Sequence, residues 1–549
     1  MDDPLFIWTA QHLQHHPTDP FGFSVNWFGF PESMLVNVQN PPLASYWLAL
    51  AGVVSWADTW LHASMLPFAL LAVWGVSRLA RLVGADPFWA PLLTLGSAAF
   101  LISATNVMCD VMLVAMMVWA IVLWVEGLNR NSVRILLAGA VVAALAAWSK
   151  YFGISLIPLL AVYTIIRQRR VTWTLAPLLV TVALLVGWHF WTVGMYGVSH
   201  VFGAAKYATE IGSQQLEGPR YFAAVTFLGG CILWPLVIGL WRGRLPEWIV
   251  YAAAAGVGGY MFDYLNLKSG IRLASVPVSS VAMASVFFAA GISVFLLTLS
   301  YQWKNRRRPE AWLLGLWIWG TIIFMAFINW TVAARNLLPM VPALAVVVTM
   351  RPGQNESSGR YGNSVAPQEN SLPLAPMAVA SGVGLLVAIT AAWADADWAG
   401  RVRETAGELA AKYQAEGKQV TFQGHWGFQY YMERAGAEAQ NLHNLAMIPN
   451  LVAILPANNT NVDPGVLTGW ETVEVRREAA GGGLYVNDVT GSAGFYCHLF
   501  GMLPFAMATG TPDKYSILQP PREWFQSQEP ATDNNPQSGG RRQTSSTEQ

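Results

Sequence analysis

The chain has 549 residues, 54% apolar and 12% charged, with 26 tryptophans and a mean hydropathy of +0.38. A soluble domain carries about 25% charged residues, so a single water-soluble globule and a disordered chain are both excluded. Basic and acidic residues balance at 32 each, which removes the cationic excess that nucleic-acid binding requires.

Charge is about twice as dense after residue 394 as before it. The expected fold class is therefore an all-α polytopic membrane domain followed by a small α/β domain. Met1 is followed by Asp2 and Asp3 and not by a basic and then apolar run, so no signal peptide is predicted. Residues 1–59 read as an outer first loop with interfacial helices. Within them, 43–56 (LASYWLALAGVVSW) is apolar but short, and NPPL at 40–43 marks a turn before it.

A crossing helix needs about 20 mostly apolar residues. Runs of this kind predict twelve spans, near 60–82, 88–106, 108–127, 133–149, 151–166, 171–193, 219–241, 246–264, 274–299, 311–330, 336–350 and 374–393. Basic residues near span ends orient them. One set of loops carries Arg78, Arg81, Arg130, Arg134, Arg167, Arg169, Arg170, Arg242, Arg244, Lys304, Arg306, Arg307, Arg308, Arg351 and Arg360. The other carries Lys150, Lys206, Arg220, Lys268, Arg272 and Arg335. This bias of 15 to 6 places the first set in the cytoplasm, and the first loop, 194–218 and the C-terminal domain outside. A multi-pass protein of the cytoplasmic (inner) membrane is expected.

The membrane domain is expected over 60–393, including a polar, Gly- and Ser-rich linker at 351–372. The α/β domain follows over 394–525, with helical pattern at 401–416 and 427–436 and strand-like runs at 419–423, 450–455, 472–477 and 483–487. Residues 526–549 have a disordered composition.

Cys109, Cys231 and Cys497 form no metal-ligand spacing. His12, His15 and His16 are spaced so that they could hold a metal, but a loop surface explains them as well.

Ionisable residues at membrane depth usually mark function. Those on the expected outer face are Asp2, Asp3, Asp110, Lys150 and Arg335, with Asp263, Lys268 and Arg272 as weaker candidates. Carboxylates and cations on one face suit a proton transfer beside an anionic leaving group. Each also has a structural reading: Lys150 and Arg335 can snorkel, and Asp263, Lys268 and Arg272 can be plain solvated loop charges. Asp110 can be a helix-end hydrogen bond, and Asp2 and Asp3 a frayed terminus.

Five segments in order resemble the GT-C glycosyltransferases, which include protein O-mannosyltransferases and lipid A aminoarabinose transferases, and most closely their bacterial RgtA/B/C/D-like branch. DDPLF (Asp2, Asp3, Phe6) and NPPL (Asn40, Pro41, Pro42, Leu43) resemble the family's first-loop motifs. SATNVMCDVML with Asp110 and WSKYFG with Lys150 resemble a later pair of helix ends. AARNLLPMVPAL with Arg335 is similar to a late Arg-containing segment. Asp3 stands where Glu is usual, and Phe6 and Asn336 where Tyr is usual. The resemblance also implies a membrane helix ahead of the Asp-Asp loop.

What the resemblance implies is a transferase using a polyprenyl-phosphate-linked sugar donor, held by membrane lipid, and an unidentified outer acceptor. Asp2 would be the base, Asp3 and Asp110 would orient the acceptor or tune the base, and Lys150 and Arg335 would hold the donor phosphate. A divalent metal is compatible with the carboxylates but not required, and no metal ligands are assigned. A multi-span transporter or flippase is the alternative, although no paired hydropathy repeat is visible.

Overall fold

The computed structural model describes residues 2–213, 218–268, 277–350, 374–445, 448–479, 483–507, 511 and 513–526. The first helix, α1 (Asp3–His15), has Asp2 at its N-cap position and Pro4 in its first turn, where a missing N–H costs nothing. Its apolar side, with Leu5, Phe6, Ala10 and Leu13, is buried. Helix α2 (Leu43–Gly52) packs against it and, at ten residues, is too short to cross a bilayer.

Helices α3 (Asp58–Val83) and α4 (Asp110–Asn129) are long and apolar enough to span, and α4 pairs with the shorter α5 (Val133–Ser149). The expected count of twelve spans is corrected. Among the described residues seven helices are long and apolar enough to cross a membrane, or eight if one bent pair is a single span. The run expected at 88–106 breaks at Gly96–Ser97 into Trp89–Leu95 and Ala98–Ala104. The run at 219–241 bends by 75° between Gly218–Cys231 and Trp234–Trp241. Apolar helices at 133–149 and 334–348 are short, and Leu245–Lys268 carries glycines and tyrosines that keep it out of the seven. Hydropathy windows register composition, whereas these breaks depend on local backbone geometry.

Small residues let helices approach closely where apolar area alone gives no drive within lipid. Gly229 in α6 (Gly218–Cys231) faces Gly291 in α7 (Val278–Asn305). A Cβ on Gly229 would run into the Phe287 carbonyl oxygen, and one on Gly291 into that of Val225.

Helix α8 (Leu374–Ala415) has 42 residues, or about 63 Å at 1.5 Å each, more than a bilayer needs. Its second half leaves the apolar region and becomes core for the C-terminal sheet. Ala406, Leu409, Ala410 and Tyr413 pack on Val420, Phe422, Phe428, Ile454 and Ile517. That sheet is built from β1 (Gln419–Phe422), β2 (Glu438–Ala439), β3 (Leu451–Pro456), β4 (Glu471–Glu478) and β5 (Asp513–Gln519), with α9 (Trp426–Arg434) between β1 and β2. Strand order is β2-β1-β3-β5-β4, parallel across β2, β1 and β3 and antiparallel on both sides of β5.

The expected helices and first three strands are present. The expected strand at 483–487 divides into Leu484–Tyr485 and Asn487–Asp488, and β5 had no sequence forecast. The expected linker 351–372 and all but Gln526 of the expected tail lie outside the described residues.

Between β4 and β5 the chain returns to the membrane helices. Ser280 Oγ donates to the Gly491 carbonyl at 3.0 Å, and the Ala334 N–H donates to the Phe495 carbonyl at 2.9 Å. Tyr485, Phe495, Met502 and Leu503 accordingly join the same core as the transmembrane helices.

Gly291→Val should destabilise by about 1–3 kcal/mol through overpacking, read as a lowered unfolding temperature in detergent. An unchanged temperature would show that α6 and α7 are not held this closely.

Candidate active site

Asp110 opens α4, where the partial positive charge of a helix N-terminus favours a carboxylate. Lys150 follows the last residue of α5, where a cation meets the negative end of the dipole. Because α4 and α5 run antiparallel as neighbours, these two ends coincide, and Lys150 Nζ lies 2.6 Å from Asp110 Oδ1. The Asp110 side chain is 2% exposed and that of Lys150 16%. The second Asp110 oxygen, Oδ2, is buried without a hydrogen-bond partner among the described residues.

Arg335 lies in the short helix Ala334–Leu337 and reaches Asp2, with Nη1 2.7 Å from Oδ2. The same nitrogen is 3.5 Å from Met108 Sδ, beside the start of α4. Arg335 also feels the charge of Asp110, which places both acid–cation pairs in one cluster. Burial pushes the Asp2 carboxyl up, but the surrounding positive charges, Arg335 first, together hold the group below the usual carboxylate value. Burial likewise lowers the Arg335 guanidinium, and Asp2 and Asp110 more than restore it, so it stays charged.

Asp2 and Asp3 point to different neighbours. Asp3 Oδ1 accepts the Val107 N–H at 2.9 Å and faces a separate cavity of about 590 Å³, shared with His62, Asn106, Asp395, Trp426 and Tyr496. The structure thus brings Asp2, Asp110, Lys150 and Arg335 together and sets Asp3 beside them. Asp263 and Lys268 are exposed on Leu245–Lys268, and Arg272 lies outside the described residues. His12 stacks on His16 and Phe23, and no group of three metal-ligating side chains occurs among the described residues.

Two residues without an assigned sequence role hold the loop before Arg335. Arg220 is 1% exposed and donates to main-chain carbonyls, from Nε to Ala326 at 2.8 Å and from Nη1 to Trp330 at 3.1 Å. Its Nη2 reaches the carbonyls of Met325 and Asn329. From the other side, His498 Nδ1 accepts the Val332 N–H at 3.2 Å and lies 2.9 Å from Thr331 Oγ1. The His498 N–H donates to the Val332 carbonyl at 2.9 Å. Burial, then the nearby Arg220 charge, pushes the His498 ring down to about 4. Arg220 had a legible signal, a cation at the very start of an apolar run. His498 had none, being remote in sequence from the Thr331 and Val332 that its ring meets.

No protein-family model matches the chain, and no curated protein matches it. Among solved structures it is similar to the oligosaccharyltransferase of Archaeoglobus fulgidus in the apo form, at 14% identity and a TM-score of 0.42. That likeness covers 83% of this chain and 66% of the archaeal one, so the chain spans just under two thirds of that enzyme's length. It is also similar to ArnT from Cupriavidus metallidurans bound to undecaprenyl phosphate, at 13% identity and a TM-score of 0.40, covering 86% of this chain and 92% of that one. These likenesses are distant, and the functional reading below stands on the geometry of the cluster.

Arg220→Met would strand several buried carbonyls, each worth about 1–3 kcal/mol when left unpaired. A clear fall in unfolding temperature is expected, and wild-type stability would show that Arg220 does not hold this loop. His498 has a folded-state pKa below its ordinary 6.5, so its contribution is fully present above 6.5 and is lost as pH falls toward about 4. Thermal unfolding scanned across that window should show stability falling with acid, and the slope should flatten in His498→Asn. Equal slopes in the two proteins would exclude His498 as a contributor.

Proposed function

We propose that the protein is an integral-membrane glycosyltransferase that moves a sugar from a polyprenyl-phosphate donor to a hydroxyl acceptor outside the cytoplasm, with inversion. The observation that carries this reading is the pair of acid–cation contacts, Asp2–Arg335 and Asp110–Lys150, gathered from four distant segments. An outer-face enzyme has no nucleotide-sugar pool, which favours a lipid-linked donor whose tail stays in the bilayer.

Lys150 and Arg335 supply the positive charge for the donor phosphate, with Arg335 capable of two parallel hydrogen bonds. As Arg335 turns to the phosphate, Asp2 loses the strongest of the positive charges that lower its pKa while remaining buried. Its basicity then rises where a proton must be taken. The acceptor oxygen loses its proton to Asp2 and bonds to the anomeric carbon. The carbon–oxygen bond to phosphate breaks, and its electron pair leaves with the polyprenyl phosphate. Asp110 stays with Lys150 and fixes the ammonium, while Asp3 faces the acceptor side. One direct displacement without a glycosyl-enzyme intermediate inverts configuration.

Membranes containing the full gene product should consume a polyprenyl-phosphate sugar and glycosylate an acceptor without added nucleotide sugar. Activity only with a nucleotide sugar would overturn the donor, and transbilayer movement of the lipid without transfer would favour a transporter. Asp2→Asn should lower turnover by roughly 10²–10⁴ while donor binding persists. A fully active Asp2→Asn enzyme would remove Asp2 as base. Sidedness follows separately: reporter fusions at Gly417 and Asn131 should report opposite faces.

A further inference from the structure

The cavity beside Asp3 lies between α1, the start of α3, the middle of α8, the start of α9 and Tyr496. About 590 Å³ is ample for a small ligand, since such sites run to roughly 300–1,000 Å³. Its walls and its end differ in chemistry. Ile7, Leu66 and Val402 are apolar wall residues, and Leu66 lies two turns into the candidate span α3 while 45% exposed. The polar end carries the carboxylates of Asp3 and Asp395, and the Tyr496 hydroxyl donates to Asp395 Oδ1 at 2.6 Å.

Two basic side chains line the wall, Arg403 and the exposed Lys514. Arg403 lies 4.0 Å from Asp58, which Arg434 also meets at 3.0 Å. The Asp3 and Asp395 carboxylates accept hydroxyl hydrogens and disfavour a phosphate placed beside them.

A second observation comes from the backbone. Trp426, which lines the cavity, has φ of +63°, a left-handed conformation that a bulky residue avoids. The turn is held by its neighbours: the His425 N–H donates to Asn459 Oδ1 at 3.0 Å, and His425 Nδ1 lies 3.0 Å from the Trp27 carbonyl oxygen. Strained residues of this kind cluster at binding surfaces, and this one lies in the cavity lining, its ring beside His425 and Phe500.

We propose that this cavity binds the acceptor, and that the acceptor presents an uncharged glycosyl head group on an apolar tail. The inference rests on the glycosyltransferase reading for the word acceptor, while the ligand chemistry rests on the cavity alone. Carboxylates pair with sugar hydroxyls, an indole packs against the apolar face of a sugar ring, and the aliphatic wall beside α3 takes the tail. Asp395, Tyr496 and Trp426 are then acceptor-binding residues, none of which belongs to the acid–cation cluster. The two substrates are sorted by charge: the anionic donor to Lys150 and Arg335, the neutral head group to Asp3 and Asp395.

The test uses the full chain in phospholipid nanodiscs and saturation-transfer NMR with octyl β-glucoside below its micellar concentration, free maltose and octyl phosphate. Octyl glucoside should receive saturation on ring and chain protons, maltose should bind about tenfold more weakly, and octyl phosphate should give no specific signal. Asp395→Asn should weaken glucoside binding about tenfold, the scale of a lost charge-assisted hydrogen bond. Trp426→Gly removes the indole at a backbone angle that glycine adopts freely, so it should lose ring-proton saturation without losing the fold. Octyl phosphate binding as well as the glucoside, or a glucoside signal unchanged in both variants, would overturn the proposal. Equal binding of maltose and octyl glucoside would overturn the apolar tail and point to a soluble glycan. Lys150→Ala should keep the glucoside signal. If polyprenyl phosphate fails to bind the wild-type chain while the glucoside result holds, the donor reading fails and the cavity assignment stands.

Discussion

The ion pair between Asp2 and Arg335 joins the beginning of the described chain to its late membrane segment, and the site depends on it. A buried ion pair is expensive to assemble, because both groups give up water, and weak evidence for stability. It is an effective registration device, since a one-sided shift would leave a buried charge alone. The second pair, Asp110 with Lys150, does the same for the ends of α4 and α5. Together they hold two cations beside two carboxylates at helix ends.

Precision in Arg335 comes from groups that are not charged partners of a substrate. Its approach loop hangs between Arg220, which spends its donors on carbonyls, and His498, which arrives from the C-terminal part of the chain. The C-terminal region is thereby more than an appended domain. Residues 484–507 leave the sheet, pack among the membrane helices and help set the geometry of the loop before Arg335. A soluble domain that supplies part of a membrane site couples the folding of both, because neither face is complete without the other.

Adjacent residues at one helix N-terminus serve two compartments. Asp2 turns to the cations and Asp3 to the neighbouring cavity, since successive positions around a helix end point in different directions. A single turn of backbone thus sets a carboxylate paired with Arg335 next to one that faces the cavity.

Composition alone determined the class: a charge-poor chain with long apolar runs must place helices in a bilayer, and the charge-rich remainder must fold in water. Amphipathic and alternating patterns located both C-terminal helices and the strands β1, β3 and β4, because burial on one face leaves a periodic trace. Asp2, Asp110, Lys150 and Arg335 were legible as ionisable residues at apolar boundaries. Their pairing was not, since nothing in sequence distance says which helix ends coincide. Span number was overcounted because Gly96–Ser97 and the bend after Cys231 interrupt helices without lowering hydropathy. Only the tertiary structure decided that Arg220 and His498 flank one loop, and that Asp395, Trp426 and Tyr496 close one cavity. Those contacts join segments far apart in sequence, and long-range packing leaves no local pattern to read.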